Sequence, residues 1–223
     1  MSTSVIYRSA RGYELLMRVL YAHHYYARMR VVAEHVPAGS SVLELCCGPG
    51  TLYRRHLRDR ASAYVGLDVN ERFVATLRRQ GVDARRVDLS PARPGEELPQ
   101  TDRAPPRPAE GAAPLPRADV VIMQASLYHF LPDAGPIVAR MLAAATDRVI
   151  ISEPIRNLTT SGVPGVARLG SHAADPGVGG HAERFTEATL DRLMEPHRER
   201  VLSSFAIPGG REKVYVLAGA GIT

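Results

Sequence analysis

The residues best suited to chemistry lie in and around one glycine turn, residues 42–51, which read V-L-E-L-C-C-G-P-G-T. The short apolar run before the turn predicts a buried parallel strand that leads into a tight loop. Gly48 and Gly50 let the backbone of this loop approach a ligand closely. Asp68 follows about 20 residues later, where an acid is placed to bind a ribose diol. The pattern predicts a ligand that contains a nucleoside.

Two side chains distinguish this loop from a dinucleotide-binding turn. The pattern G-x-G-x-x-G, aligned on Gly48 and Gly50, requires a third glycine where the chain has Tyr53. Glu44, on the incoming strand, would repel a phosphate and suits a cation. The sequence therefore favours a positively charged nucleoside over a dinucleotide.

The composition is that of an ordinary globular protein, with 223 residues, 45% hydrophobic and 23% charged. We expect a single domain that spans residues 1–223. No apolar run approaches the ~20 residues of a membrane span, and the first residues lack the apolar core of a signal peptide, so we expect a cytoplasmic protein. The two cysteines are adjacent and imply no disulfide framework.

The net charge of +5 raises the question of a nucleic-acid partner. Lys213 is the only lysine, and the arginines are spread along the chain. This bias is typical of a GC-rich, bacterial coding sequence. A nucleic-acid partner is therefore disfavoured.

Alternating strand and helix signals predict an α/β fold. The predicted strands cover residues 42–45, 64–68, 82–89, 118–123 and 148–152, followed by a terminal hairpin of 200–206 and 213–218. One predicted helix follows the glycine turn, and others cover residues 71–80, about 132–145 and 187–194. Asn70 and Thr186 are the predicted N-caps of the second and the last of these. We therefore predict a Rossmann-like, seven-stranded mixed sheet, with six parallel strands, an antiparallel terminal strand and helices on both faces.

Three segments are expected to lie around this sheet. Residues 1–38 are predicted to form an N-terminal helical lid, whose tyrosines and histidines either pack on the core or face a substrate. Residues 91–117 are a proline-rich insertion, interpreted as a surface loop, with a functional flap as the alternative. Residues 157–184 are rich in glycine and serine and are expected to cover the pocket.

From Val42 to Ala218 the chain resembles the class I S-adenosylmethionine-dependent methyltransferases. Their first motif, acid-x-G-x-G-x-G, is matched by residues 44–50, with Cys46 at the first glycine position. The resemblance implies S-adenosyl-L-methionine as cofactor and S-adenosyl-L-homocysteine as product. The implied cofactor-binding residues are Glu44, Cys46, Gly48, Gly50, Asp68, Val69, Asp88, Leu89 and Gln124. Among them, Glu44 would hold the methionine end, Asp68 the ribose and Asp88 with Leu89 the adenine.

The acceptor is predicted to be a small molecule that is methylated on oxygen or nitrogen, with an aromatic or apolar character suggested by the tyrosines. Residues 124–129 read Q-A-S-L-Y-H, without the N-P-P-Y-like element common in nucleic-acid and protein amine methyltransferases. His129 is our first candidate for a catalytic base, and packing against Phe130 is the alternative. The predicted substrate-binding residues are Tyr21, His24, Tyr25, Tyr128, Glu153, His172 and His181.

Two other functions stay open. One is a cofactor-binding homologue that transfers no methyl group, and the other is a methyltransferase of RNA or protein that uses the basic surface. The histidine spacing matches no metal motif, so no metal is expected. The sequence does not fix the oligomeric state, and a homodimer is left open.

Overall fold

A central sheet organises the chain in a computed structural model that describes residues 12, 24–90, 114–156 and 183–221. Its strands are β1 (Ser41–Leu45), β2 (Ala63–Asp68), β3 (Ala84–Arg86), β4 (Ala118–Gln124), β5 (Ala145–Pro154), β6 (Val201–Ala206) and β7 (Glu212–Ala218). They form one seven-stranded sheet in the order β3-β2-β1-β4-β5-β7-β6. The apolar runs therefore become strands because they fill the middle of the sheet, where both faces are covered.

The strand directions confirm the predicted mixed sheet. β1 is parallel to β2 and β4, β2 is parallel to β3, and β4 is parallel to β5. β7 is antiparallel to both of its neighbours, β5 and β6. Six strands thus share one direction, and β7 alone among the described strands runs the other way.

Helices cover both faces of the sheet. They are α1 (His24–Glu34), α2 (Glu71–Arg79), α3 (Gly135–Ala144) and α4 (Glu187–Met194). Buried side chains of α1 and α2 pack in the core of one face, and those of α3 and α4 pack in the core of the other face. Asn70 and Thr186 cap α2 and α4 as predicted. Among the described residues, no helix is long and apolar enough to cross a membrane.

Some boundaries differ from the predictions. The segment after the glycine turn forms a π-helix, Tyr53–Leu57, in which the Arg58 N–H donates to the Tyr53 carbonyl at 2.9 Å. The wider turn accompanies stacking of Tyr53 on Tyr64, with ring centroids 4.2 Å apart. β3 is shorter than predicted, and β5 is longer because it pairs along its length with both β4 and β7.

The three predicted segments around the sheet lie largely outside the described residues. Of the predicted lid, the structure describes residue 12 and residues 24–38. Of the insertion it describes residues 114–117, where Leu115 is buried in the core, and of the covering loop it describes Glu183 and Arg184. The lid and covering roles remain predictions.

A buried ion pair joins α1 to the sheet. Arg28 Nε lies 2.6 Å from Glu212 Oε1, and their side chains are 6% and 4% exposed. The Ser152 hydroxyl donates to the second oxygen of Glu212 at 3.0 Å. Gln124 Nε2 donates to the Arg28 carbonyl at 3.4 Å, which ties the same helical turn to the end of β4.

We expect Glu212→Gln to lower the free energy of unfolding by about 3 kcal/mol, because it leaves the buried Arg28 charge without its counter-charge. Urea denaturation measures this loss. Glu34→Gln is the matched control, since Glu34 pairs with Arg30 on the exposed side of α1 and should cost less than about 1 kcal/mol. Equal losses in the two variants would contradict the role of the buried pair.

Candidate active site

The glycine turn after β1 adopts backbone conformations that explain its composition. Cys46, Gly48 and Gly50 have φ values of 54°, 56° and 70°, in the left-handed region. A Cβ atom on Gly50 would lie 2.5 Å from Cδ2 of Leu77, which is itself fully buried. Glycine is therefore required at position 50 for both conformation and space.

Cys46 stands where the related loops carry their first glycine. Its positive φ shows why glycine is usual there, because a residue with a Cβ in this conformation costs about 1 kcal/mol or more. The side chain is half-buried and packs against the core. The thiol is accommodated in the conformation that a glycine would adopt.

Asp68 ties the end of β2 to the glycine turn. Its Oδ2 accepts the Gly48 N–H at 2.7 Å, and its Oδ1 accepts the Asn70 N–H at 2.7 Å. Burial raises the pKa of this carboxyl to about 6, although the two N–H groups act in the opposite direction. Each carboxylate oxygen has a second lone pair, so these contacts leave capacity for hydroxyl donors.

Glu44 is buried beside a tyrosine that the sequence analysis missed. The Tyr64 hydroxyl donates to Glu44 Oε2 at 2.6 Å. Burial raises the pKa of the Glu44 carboxyl to about 8, so it is mainly protonated at neutral pH. The parallel register of β1 and β2 places both residues on the same face of the sheet, a signal that alternation along the two strands could have supplied.

Four acids act on the Cys46 thiol from the surrounding strands. Burial raises the pKa of this thiol, and the negative charges of Asp68, Glu153, Asp88 and Glu44 raise it further. The thiol is therefore protonated and a poor nucleophile. The same electrostatics shows that carboxyl groups at or near the ends of four strands, β1, β2, β3 and β5, lie close to the glycine turn.

The predicted adenine-side residues lie just beyond β2 and β3. Asp88 and Leu89 are buried, and Asp88 Oδ1 accepts the Ser90 N–H at 2.9 Å. The Val69 carbonyl accepts from Arg86 Nε at 3.4 Å. The Asp88 charge acts on the Cys46 thiol, and Val69 follows Asp68, which accepts the Gly48 N–H, so these residues lie near the glycine turn.

Aromatic and basic side chains follow β4. Ala125 has a φ of 50°, and a 3-10 helix, Leu127–Phe130, follows it. The Tyr128 and His129 rings are 3.9 Å apart, and both side chains are half-buried. Arg184, which the sequence analysis did not select, lies 3.7 Å over the Tyr128 ring.

Glu153, at the end of β5, is fully buried. Its Oε2 accepts the Leu127 N–H at 3.0 Å, whereas Oε1 has no hydrogen-bond partner in the part of the chain that the structure describes. Burial raises the pKa of this carboxyl to about 8, and the nearby negative charge of Glu212 also raises it. Thr51, after the glycine turn, likewise has a buried hydroxyl without a partner among the described residues. The sequence analysis did not select Thr51, although its position directly after Gly50 could have pointed to it.

Of the remaining predicted substrate residues, the structure describes His24 and Tyr25. Tyr25 is 2% exposed in the core under α1, as the core-packing interpretation expects, and its contact with a substrate remains a prediction. His24 begins α1. Tyr21, His172 and His181 lie outside the described residues. The described residues contain no group of three or more side chains placed to hold a metal ion.

We expect Glu44→Gln to change how stability depends on pH. The pKa of Glu44 is higher in the folded chain than in the unfolded chain, so the folded chain holds the extra proton, and its stability falls as pH rises towards about 8. Between about pH 6 and 8, Glu44→Gln should flatten this fall by about 1 kcal/mol per pH unit in urea denaturation.

Asp83→Asn is the control for this experiment. Its hydrogen bonds with Arg85 lower the pKa of the Asp83 carboxyl, which stays ionised in both states across that pH range. A Glu44→Gln slope equal to that of the wild type and of Asp83→Asn would contradict the raised pKa.

Comparison with known proteins agrees with this geometry. A family model described as a methyltransferase domain matches residues 20–197. No match to the chain is found among curated proteins.

Solved structures share the fold at low sequence identity. A TehB-like S-adenosylmethionine-dependent methyltransferase from Corynebacterium glutamicum is 14% identical, with 94% of this chain and 97% of that chain covered and a TM-score of 0.54. A Thermotoga maritima methyltransferase, described as a possible histamine N-methyltransferase, is 13% identical, with 96% and 97% covered and a TM-score of 0.61.

A third match is a complex between a methyltransferase activator and a methyltransferase of Haloferax volcanii. It is 12% identical, with 98% of this chain and 99% of that chain covered and a TM-score of 0.63. These likenesses concern the fold, and the family model covers most of the chain. The chain therefore belongs to the class I S-adenosylmethionine-dependent methyltransferases, and S-adenosyl-L-methionine is its cofactor.

Proposed function

We propose that this enzyme methylates a small-molecule acceptor on oxygen or nitrogen, in the bacterial cytoplasm. The convergence of four carboxyl groups on a glycine turn with left-handed backbone supports the methyl donor. These acids suit a cationic nucleoside, because their oxygens accept hydrogen bonds from hydroxyl groups and their negative charge attracts a positive one. The Tyr128 and His129 rings that follow β4 are the observation that carries the choice of acceptor.

Different residues of the chain would bind different parts of the cofactor. Gly48 and Gly50 let the backbone approach it, Asp68 accepts from the ribose hydroxyls, and Glu44 faces the methionine end. Asp88 and Leu89 bind the adenine. When bound, S-adenosyl-L-methionine supplies a methyl group on a positively charged sulfur. The protein has to bring the acceptor atom into line with that methyl group and remove a proton.

His129 is the proposed base. Its half-buried ring lies 3.9 Å from the Tyr128 ring, in the segment that follows β4, and this supports the proposal. An imidazole is a suitable group to accept a proton from an acceptor hydroxyl or amine. Tyr128, with Arg184 3.7 Å over its ring, would form the adjacent wall of the proposed acceptor site.

The neighbours bear on the acceptor class through their descriptions alone. The Thermotoga maritima protein is described as a possible histamine N-methyltransferase, which is a small-molecule activity. The Haloferax volcanii protein was solved with an activator. The first description supports a small acceptor, and the second raises the possibility of a protein partner.

A groove lined by arginines supports a macromolecular acceptor as the second candidate. Arg54, Arg55, Arg58 and Arg60 line it together with His56, Asp59 and Ala38. RNA binding that weakens steeply with salt, with methyl transfer to the bound RNA, would favour this candidate over ours.

We expect Asp68→Ala to weaken S-adenosyl-L-methionine binding by at least about 10-fold, because it removes an acceptor of charge-assisted hydrogen bonds. Calorimetry and the ligand-induced rise in melting temperature measure the effect. Asp83→Ala, at an exposed carboxylate on the α2–β3 connection, should bind like the wild type. Normal stabilisation of Asp68→Ala by the cofactor would refute the ribose assignment.

We expect His129→Ala to lower kcat by about 10²- to 10⁴-fold, the usual contribution of a general base. Cofactor affinity should stay close to that of the wild type, which separates a lost base from a damaged fold. The assay is transfer of a labelled methyl group to an acceptor found by screening metabolite extracts. His197→Ala, on the 3-10 helix before β6, is the control. Full turnover by His129→Ala would remove it as the base.

A further inference from the structure

We propose that the methyl acceptor is an amine and that Glu153 binds one of its N–H groups, an inference that rests on the proposed small-molecule methyl transfer. Glu153 becomes a residue that selects the acceptor, while His129 keeps the role of base.

The first support is the incomplete hydrogen bonding of Glu153. Its side chain is fully buried, Oε2 accepts the Leu127 N–H at 3.0 Å, and the Tyr128 N–H also acts on the carboxyl, whereas Oε1 has no partner within the described ranges. A buried carboxyl oxygen without a partner costs free energy, and such atoms in native proteins call for an explanation. A donor on a bound molecule supplies the missing hydrogen bond.

The second support is the position of Glu153 in the sheet. Gln124 of β4 lies in register with Ser152 of β5, and the Ala125 N–H donates to the Ser152 carbonyl at 2.7 Å. Glu153, near the end of β5, therefore lies at the level where β4 ends, close to Gln124, which is assigned to the cofactor. Its charge also acts on the Cys46 thiol, so the carboxyl lies near the glycine turn.

The third support is the set of charges that face Glu153. Arg28 pairs at 2.6 Å with Glu212, and the Glu212 charge opposes ionisation of Glu153. Arg28 favours that ionisation, but less strongly than Glu212 opposes it. Burial is the largest cause of the raised pKa of Glu153, and of its two charged neighbours Glu212 has the larger effect. A ligand that donates a hydrogen bond from nitrogen, with positive charge developing on it, relieves this repulsion.

An amine fits two acceptors where an alcohol fits one. A primary amine has two N–H groups, one for Glu153 Oε1 and one for His129, and its nitrogen lone pair stays free. A hydroxyl has a single hydrogen and cannot serve both. The acceptor enters as the free amine. Its lone pair forms the N–C bond as the C–S bond breaks, the C–S electrons pass to sulfur, and His129 takes the surplus proton from the methylated nitrogen.

The test compares matched amines and alcohols as acceptors for the full-length enzyme with labelled cofactor. The panel consists of pairs that differ in this group alone, with benzylamine and benzyl alcohol as the simplest pair. We expect transfer to amines in preference to their matched alcohols. Glu153→Gln should lower kcat/KM for amines by about 10- to 100-fold, the loss typical of a hydrogen bond to a charged group.

Control variants separate this role from a structural one. Glu153→Gln keeps an oxygen for the Leu127 N–H, so its melting temperature and cofactor affinity should remain near the wild-type values. Glu153→Asp, which keeps the charge one methylene further back, should retain more amine turnover than Glu153→Gln. Glu199→Gln, exposed on the 3-10 helix before β6, should behave as the wild type.

Each outcome decides between the two levels of the proposal. Transfer to alcohols but not amines, or unchanged amine turnover in Glu153→Gln, overturns the inference and leaves the proposed function standing. If Glu153→Gln fails to fold, Glu153→Asp decides: a folded Glu153→Asp variant that methylates alcohols in full preference to amines also overturns the inference. Intact cofactor binding without transfer to any small acceptor contradicts the proposed function itself.

Discussion

Desolvation of carboxyl groups is the constraint on which the active site depends. Glu44 and Glu153 are buried so fully that each has a pKa raised to about 8, and Asp68 is raised to about 6. At neutral pH the folded chain therefore holds protons on Glu44 and Glu153 rather than several bare negative charges in one place. Binding of a cation beside these groups would favour loss of the protons.

The sheet makes this arrangement possible because parallel strands end at the same edge. β1, β2, β4 and β5 run in one direction, so the residues that follow them meet around the glycine turn. The antiparallel β7 contributes differently, since it brings Glu212 under α1 from the far side of β5. β5 thus has two roles: it carries Glu153 near the glycine turn, and it pairs with β7, whose Glu212 binds Arg28 of α1.

Much of the fold could be predicted from local sequence signals, while the cofactor roles of the residues stay predictions. Strand-to-loop patterns singled out Glu44, Asp68 and Asp88, which the structure brings near Cys46, and capping residues located the starts of α2 and α4. Long-range partners could not be predicted, because nothing local links Arg28 to Glu212 or Tyr64 to Glu44. The π-helix was missed since its signal is the packing of Tyr53 on Tyr64. The lack of a hydrogen-bond partner for Glu153 Oε1 could not be predicted either, because it depends on which atoms surround this oxygen in the folded chain.

The strand order also determines when each strand can pair with its neighbours during synthesis. β7 is synthesised after the other described strands, yet it lies between β5 and β6, both made earlier. Until β7 is made, β6 has no described neighbour in the sheet and β5 has an open edge. Arg28 likewise gains its ion-pair partner only when Glu212 of β7 has been made. Nascent chains that stall before β7 would therefore expose a strand edge and a charged helix face, the form most exposed to aggregation and proteolysis.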